Sequence, residues 1–341
     1  MLTDEHEKAR VIALNRWPTH KAENMSTMDK SDTTNSPPSP ERLPSQELEA
    51  LLAQALSFDK TGQYQEMLAS AQHASKLDPG SALAFACKAR ALQKLDRISE
   101  ATIANDQALL LNTALALAWI NRSGLQILQR RFADALRNAI RATELAPDDA
   151  RAWINAGMAH INLQNLSAAL DAMNQGLTFD PDNLLALQMK GEILFRCGRV
   201  RELASFIRTT LERYPDDVQL LTLLIEALCS TENYGEIVPF TSHLIQLQPD
   251  SRFAWDCHMR TLRSLGQFTE ANEAIDHLLE LEPDEVRYWT LKADNLYRLE
   301  HYREAVAVAQ SALQIDPQFP PAKRIHEKAV KLMYQRKGKK K

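Results

Sequence analysis

The stretch WINAGMAH, Trp153 to His160, sets a Trp, an Asn, a Gly and a His within eight residues. Such a set is either a reactive site or a packing pattern, and the rest of the chain decides between the two. Counting outward from it, a Pro recurs, usually after a polar or acidic residue, at Pro147, Pro181, Pro215, Pro249, Pro283 and Pro317, each 34 residues from the last. Pro79 stands twice 34 before Pro147, and Thr113 occupies the place between them. Twenty-eight residues before each landmark stands a large apolar side chain: Leu51, Phe85, Trp119, Trp153, Leu187, Leu221, Trp255 and Trp289. Twelve residues before it stand Met67, Ala101, Ala135, Ala169, Leu203, Ile237, Ala271 and Ala305, mostly small. Large and small side chains at fixed places in eight registers without insertion describe eight copies of one packing unit.

Each copy reads as two short amphipathic helices, over 150–163 and 166–178 in the fourth, with the Pro leading into the next pair. Composition agrees: with 10 Gly, 6% aromatic residues and abundant Ala and Leu, the chain favours helix over strand. Trp153 is expected as a large knob between helices. Gly157 and Ala169 are expected where the two helices cross too closely for a larger side chain. His160 is expected to pack, since no second ligand recurs near it at metal spacing. In the fifth and sixth copies Leu203 and Ile237 replace the small residue, and the sixth adds Ile225 and an interior Pro239, so a local bend is expected there.

A 34-residue period carrying Trp153, Ala156, Gly157, Ala169 and Pro181 resembles the tetratricopeptide repeat (TPR) family over about residues 46–317. The resemblance implies an all-α protein, an α-solenoid in the form of a right-handed superhelix of about eight helix-turn-helix units. The expected domains are a disordered N-terminal tail over 1–44, the array over 45–317, a capping helix over 318–335 and a basic disordered tail over 336–341. Met1, Met25 and Met28 are alternative starts.

The family also implies a binding groove lined by the second, fifth, sixth and ninth places of each repeat. Read off here, these places give a candidate peptide groove of Arg90, Asn121, Arg151, Ile154, Asn155, Met158, Met189, Glu192, Leu223 and Glu226. Asn121 and Asn155 resemble the asparagine ladder with which some members grip peptide backbone, an amide offering a donor and an acceptor together. The chaperone-binding members carry a cationic clamp for a terminal carboxylate. At its places stand Ala86, Arg90, Asn121, Arg151 and Asn155, of which only Asn121 matches in residue and Arg151 in charge, which argues against that clamp. Glu192, Glu226, Asp256 and Asp294 make the later groove the more acidic part and suit a basic or amphipathic ligand.

No catalytic motif, cofactor loop or metal-ligand spacing occurs, so neither an enzyme nor a bound cofactor is expected. Four cysteines, Cys87, Cys197, Cys229 and Cys257, read as reduced thiols of a cytoplasmic protein. No run approaches the ~20 apolar residues of a membrane span. A net charge of -4 argues against nucleic acid as a partner, leaving the terminal RKGKKK for weak electrostatic contact with nucleic acid or membrane at most. The expected function is a non-catalytic protein-interaction scaffold that binds a peptide or helix of a partner in the concave groove, with no small-molecule substrate. A self-associating solenoid, a homo-oligomer, is the alternative.

Overall fold

The computed structural model describes residues 44–339 other than 232. Seventeen helices follow one another in that span, and no strand occurs among the described residues. They are α1 (Pro44–Thr61), α2 (Tyr64–Leu77), α3 (Ala82–Lys94), α4 (Ile98–Leu111), α5 (Ala116–Leu128), α6 (Phe132–Leu145), α7 (Ala150–Asn162) and α8 (Leu166–Phe179). Then come α9 (Leu184–Arg196), α10 (Val200–Leu211), α11 (Val218–Ser230), α12 (Tyr234–Leu247), α13 (Arg252–Ser264) and α14 (Phe268–Leu281). The last are α15 (Val286–Arg298), α16 (Tyr302–Ile315) and α17 (Pro320–Lys339). The chain divides into two compact units after Pro181, α1 to α8 in the first and α9 to α17 in the second, and each is an all-α solenoid stack of helix pairs.

The turn inside seven of the pairs is the same device repeated. One residue takes a left-handed conformation at Gly62, Asp96, Arg130, Gln164, Gly198, Gly266 and Glu300, with φ between 60° and 75°. Around it the last turn of the first helix is closed by a backbone bond such as Arg97 N–H to the Leu92 carbonyl, 2.9 Å, or Asn165 N–H to that of His160, 2.9 Å. That pattern satisfies carbonyls which a helix end leaves without partners. The turn between pairs is fixed from the other side. Ser81, Asp149, Asn183, Asp217, Ser251 and Glu285 cap the following first helix by accepting a backbone N–H.

The tryptophans serve that same turn. Trp119, Trp153, Trp255 and Trp289 each donate the indole N–H to the carbonyl six residues earlier, that of Thr113, Pro147, Pro249 or Pro283, at 2.7 to 2.8 Å. Trp153 is half-buried, and its indole N–H also ties the turn to its helix. Close helix crossing is visible at Gly157, where an added Cβ would meet Met173 Cε at 2.8 Å, and at Ala169, which is fully buried.

The fifth copy keeps the glycine of the first helix and enlarges its partner on the second. Leu203 on α10 is fully buried, and room for it comes from Gly191 on α9, where an added Cβ would lie 3.8 Å from Leu203 Cδ1 and 3.2 Å from Leu223 Cδ1. Helix α12 runs through an exposed Pro239 as one element. At the C-terminal end α17 buries Ala322 and Ala329, and its backbone continues to Lys339, into the basic run expected to be disordered. The tail over 1–44, except Pro44, and the last two lysines lie outside the described residues.

Candidate functional site

In the first unit the polar groove residues face their own neighbours. Asn121 Nδ2 donates to the Ala86 carbonyl at 2.8 Å, and Asn155 Nδ2 donates to the Ile120 carbonyl at 3.0 Å and to Ser123 Oγ at 2.8 Å. Each therefore joins its first helix to the first helix of the preceding pair. Asn121 is 1% exposed and Asn155 5%, with Ile154 and Met158 buried beside them. The expectation that Asn121, Ile154, Asn155 and Met158 contact a peptide is corrected on that ground. A helix carbonyl keeps a second lone pair after closing its own turn, and the amides take that place. Gly124 keeps the space open, since a Cβ there would meet Gln93 Nε2 at 2.8 Å.

Arg90 and Arg151 belong to a charged cluster on the inner helices α1, α3 and α7. Asp59 accepts from Arg90 Nε at 3.2 Å and from Arg151 Nη1 at 3.3 Å, and the two oxygens of Asp149 accept from Arg151 at 3.0 and 2.7 Å. Asp59 and Arg90 are 12% and 14% exposed, whereas Arg151 is 38% exposed. Burial alone would raise the Asp149 carboxyl, but the hydrogen bond and charge of Arg151 outweigh it and hold Asp149 below its ordinary value. Lys94 joins the cluster from the end of α3. Burial first, and then the charge of Arg90, lowers its ammonium to about 8. Burial first, and then Asp59, pushes the Cys87 thiol up to about 12, so that sulfur stays protonated. Arg90, Lys94 and Arg151 thus share a partly desolvated pocket of charge with Asp59 and Asp149.

Sequence reasoning missed Asp59, Lys94 and Asp149. Asp59 and Arg151 stand 92 residues apart, so only the path of four stacked pairs brings them together. Asp149 two places before Arg151 offered a local signal, since an N-cap carboxylate also lies within reach of a side chain in the first turn.

The second unit fills the same register differently. Met189, Glu192 and Leu223 are buried, Leu223 at 2% exposure, and Glu226 is half-buried with a partner of its own. Asp294 accepts from Arg263 at 2.7 Å and from Arg298 at 2.9 Å, and Asp256 faces Arg260 at 3.8 Å. The expected acidic face is thereby corrected: Glu192 is buried, and Asp256 and Asp294 are matched by arginines of their own unit. Met189 and Leu223 are core. Cys229 is held below the ordinary thiol value by a hydrogen bond from Cys257, helped by Arg260. Among the described residues no group of three His, Cys, Asp or Glu is placed to hold a metal ion, and no helix is long and apolar enough to cross a membrane.

Against this geometry stand the similarities to known proteins. The family model described as tetratricopeptide repeat matches residues 129–183 and 259–320. The heat shock protein sti1 homolog of Schizosaccharomyces pombe is 38% identical over 77 residues, 23% of this chain and 13% of that protein. The Hsp70-Hsp90 organizing protein of Triticum aestivum is 33% identical over 96 residues, 28% of this chain and 16% of that protein. This chain therefore matches only a small part of either relative's length. The solved structure from the functional characterization of Pseudomonas aeruginosa pilF superposes with a TM-score of 0.55 at 18% identity, over 62% of this chain and 97% of that one, a likeness of fold.

Proposed function

This chain is a tetratricopeptide repeat protein, and we propose that it works as a non-catalytic protein-interaction adaptor that receives an acidic peptide segment on the inner face of its first unit. The observation that carries this reading is the Asp59–Arg90–Lys94–Arg151–Asp149 cluster. Its guanidinium groups are partly desolvated and still open to solvent at Arg151. A partner carboxylate would exchange with Asp59 for Arg90 and Arg151, and guanidinium groups suit that exchange because they bond a carboxylate through two parallel N–H groups. Asp59 then acts as an internal competitor whose contacts hold the site in shape until a ligand arrives. The local likeness to an sti1 homolog and to an Hsp70-Hsp90 organizing protein supports a partner among chaperones. Free cysteines fit a cytosolic setting.

The test is fluorescence anisotropy with a labelled tetra-aspartate peptide ending in a free carboxylate. Arg90→Ala with Arg151→Ala should weaken binding by at least about tenfold, a loss of ~1.4 kcal/mol, and Asp59→Asn should strengthen it. Equal affinity in wild type and the double variant, with both folded by circular dichroism, would remove the proposed site.

A further inference from the structure

A second recognition chemistry is built into the outer side of the second unit. Helices α12, α13 and α14 enclose a cleft of about 430 Å³. Val238 and Ser242 line it from α12. One wall is aromatic: the rings of Trp255 and His277 stack with centroids 4.3 Å apart at 20°, and His258 meets Trp255 edge-on at 6.3 Å. The indole is fixed by its bond to the Pro249 carbonyl at 2.7 Å, and His258 Nδ1 lies 2.8 Å from Thr241 Oγ1. Burial lowers the His258 pKa, which keeps that ring neutral. Glu270 and Glu273 complete the lining from α14.

The register tells what the cleft lacks. An acid in the first turn of a second helix meets an arginine three residues earlier in Arg97–Glu100 at 2.7 Å, Arg131–Asp134 at 2.5 Å and Arg199–Glu202 at 2.5 Å. Glu270 holds that same acid's place, but the arginine's place holds Gln267, and among the described residues no ion pair reaches Glu270 or Glu273. Glu66 of the first pair also follows a glutamine, Gln63, but the places of Trp255 and His258 there hold Leu51 and Gln54. Two uncompensated carboxylates beside stacked rings form a half-site whose missing part is a planar cation. We propose that this cleft binds the guanidinium of an arginine side chain carried by a partner protein. Its flat face would lie along the Trp255–His277 wall and its N–H fork would reach Glu270 and Glu273. A lysine supplies the charge without the plane or the fork, so arginine is preferred. This site is separate from the charge cluster of the first unit, and neither proposal depends on the other.

The test uses the full chain and a small probe. N-acetyl-arginine-N-methylamide is titrated while the Trp255 indole N–H resonance is followed, that resonance being identified by its loss in Trp255→Phe. A saturable shift confined to Trp255 is expected, with the lysine analogue binding about tenfold more weakly. Glu270→Gln with Glu273→Gln, both exposed, should abolish the shift. Gln267→Arg, which introduces the arginine found at this place in three other repeats, should abolish it too by filling the site from within, at unchanged helicity. No saturable shift, a shift of equal size at all the tryptophans, or one that survives both variants would overturn the proposal.

Discussion

Two residues after the large anchor, a first helix can meet the previous one of its own unit, and the units fill that place with opposite chemistry. In the first unit Asn121 and Asn155 fill the place and bond to carbonyls 35 residues earlier. In the second, Leu223, Cys257 and Leu291 hold it, and Leu223 packs at Gly191 of the previous first helix. One 34-residue frame therefore accepts either a specific hydrogen bond or dispersion at the same seam. The amides fix geometry and cost desolvation, and the apolar side chains give more cohesion per residue. It is the hydrogen-bonded unit that also gathers buried charge at Asp59, Arg90 and Lys94, where rigid placement of partners matters most.

The sharpest way to break the comparison is Leu223→Ala. Leu223 is 2% exposed and fills the space left by Gly191, so the change should cost about 3 to 4 kcal/mol in urea unfolding. Hydrogen exchange should rise first within 182–339. A loss below ~1 kcal/mol would mean that apolar contact does not hold the second unit's seam.

Next in size is the charge of the first unit, and its sign is opposite. Lys94 is lowered to about 8 from an ordinary 10.5, so the folded state binds fewer protons than the unfolded chain between those values. Stability from this residue therefore rises with pH over that window, and below about 8 the folded state carries the full cost of a half-buried ammonium. Lys94→Met should raise stability at pH 7 by up to about 2 kcal/mol, after allowing for solvent screening, and flatten the dependence of Tm on pH between 7 and 10. Equal pH slopes in wild type and variant would show that the ammonium is well solvated.

Asn155→Ala comes third, at about 1 to 2 kcal/mol, because two hydrogen bonds are lost while the helix carbonyl keeps its own partner. Loss of stability with unchanged peptide binding is expected, which separates a seam residue from a ligand contact.

Why that asparagine was misread from sequence is instructive. The period, the helix pairs and their bounds were legible: the fourth pair was expected at 150–163 and 166–178 and is found at Ala150–Asn162 and Leu166–Phe179. Those features follow from local pattern, in which each residue's environment is set by neighbours within one repeat. What a groove-facing amide bonds to depends on the distance between successive first helices, and small residues such as Ala86 and Gly124 make that distance short. Family register therefore placed Asn155 on the correct face and gave it the wrong partner. Asp59 was invisible for a related reason, since its contact with Arg151 spans four pairs.

The left-handed turn residue was legible and passed over. Gly62, Gly198 and Gly266 are spaced by multiples of 34, and the same place holds Asp96, Arg130, Gln164 and Glu300. In the first unit Gly62 is followed by three residues with a Cβ, each held at φ near 60°. A side chain in that region costs roughly 1 kcal/mol, which the closing bond Arg131 N–H to the Gln126 carbonyl, 2.8 Å, must offset. Arg130 is exposed and has no ion pair, so Arg130→Gly removes strain and little else. Against that gain stands glycine's greater freedom in the unfolded chain, worth about 0.5 kcal/mol. The net expectation is a stabilisation of about 0.5 kcal/mol, read as a small rise in urea midpoint at unchanged m-value. Gly266→Ala, the reverse change at the same place in the second unit, should lower it, because φ there is 75° and nothing lies within 4 Å of an added Cβ to reward it. If both shifts are reversed, Arg130→Gly lowering the midpoint and Gly266→Ala raising it, the freedom of the unfolded chain governs instead, and a shift in the same direction would mean that neither effect is what they measure.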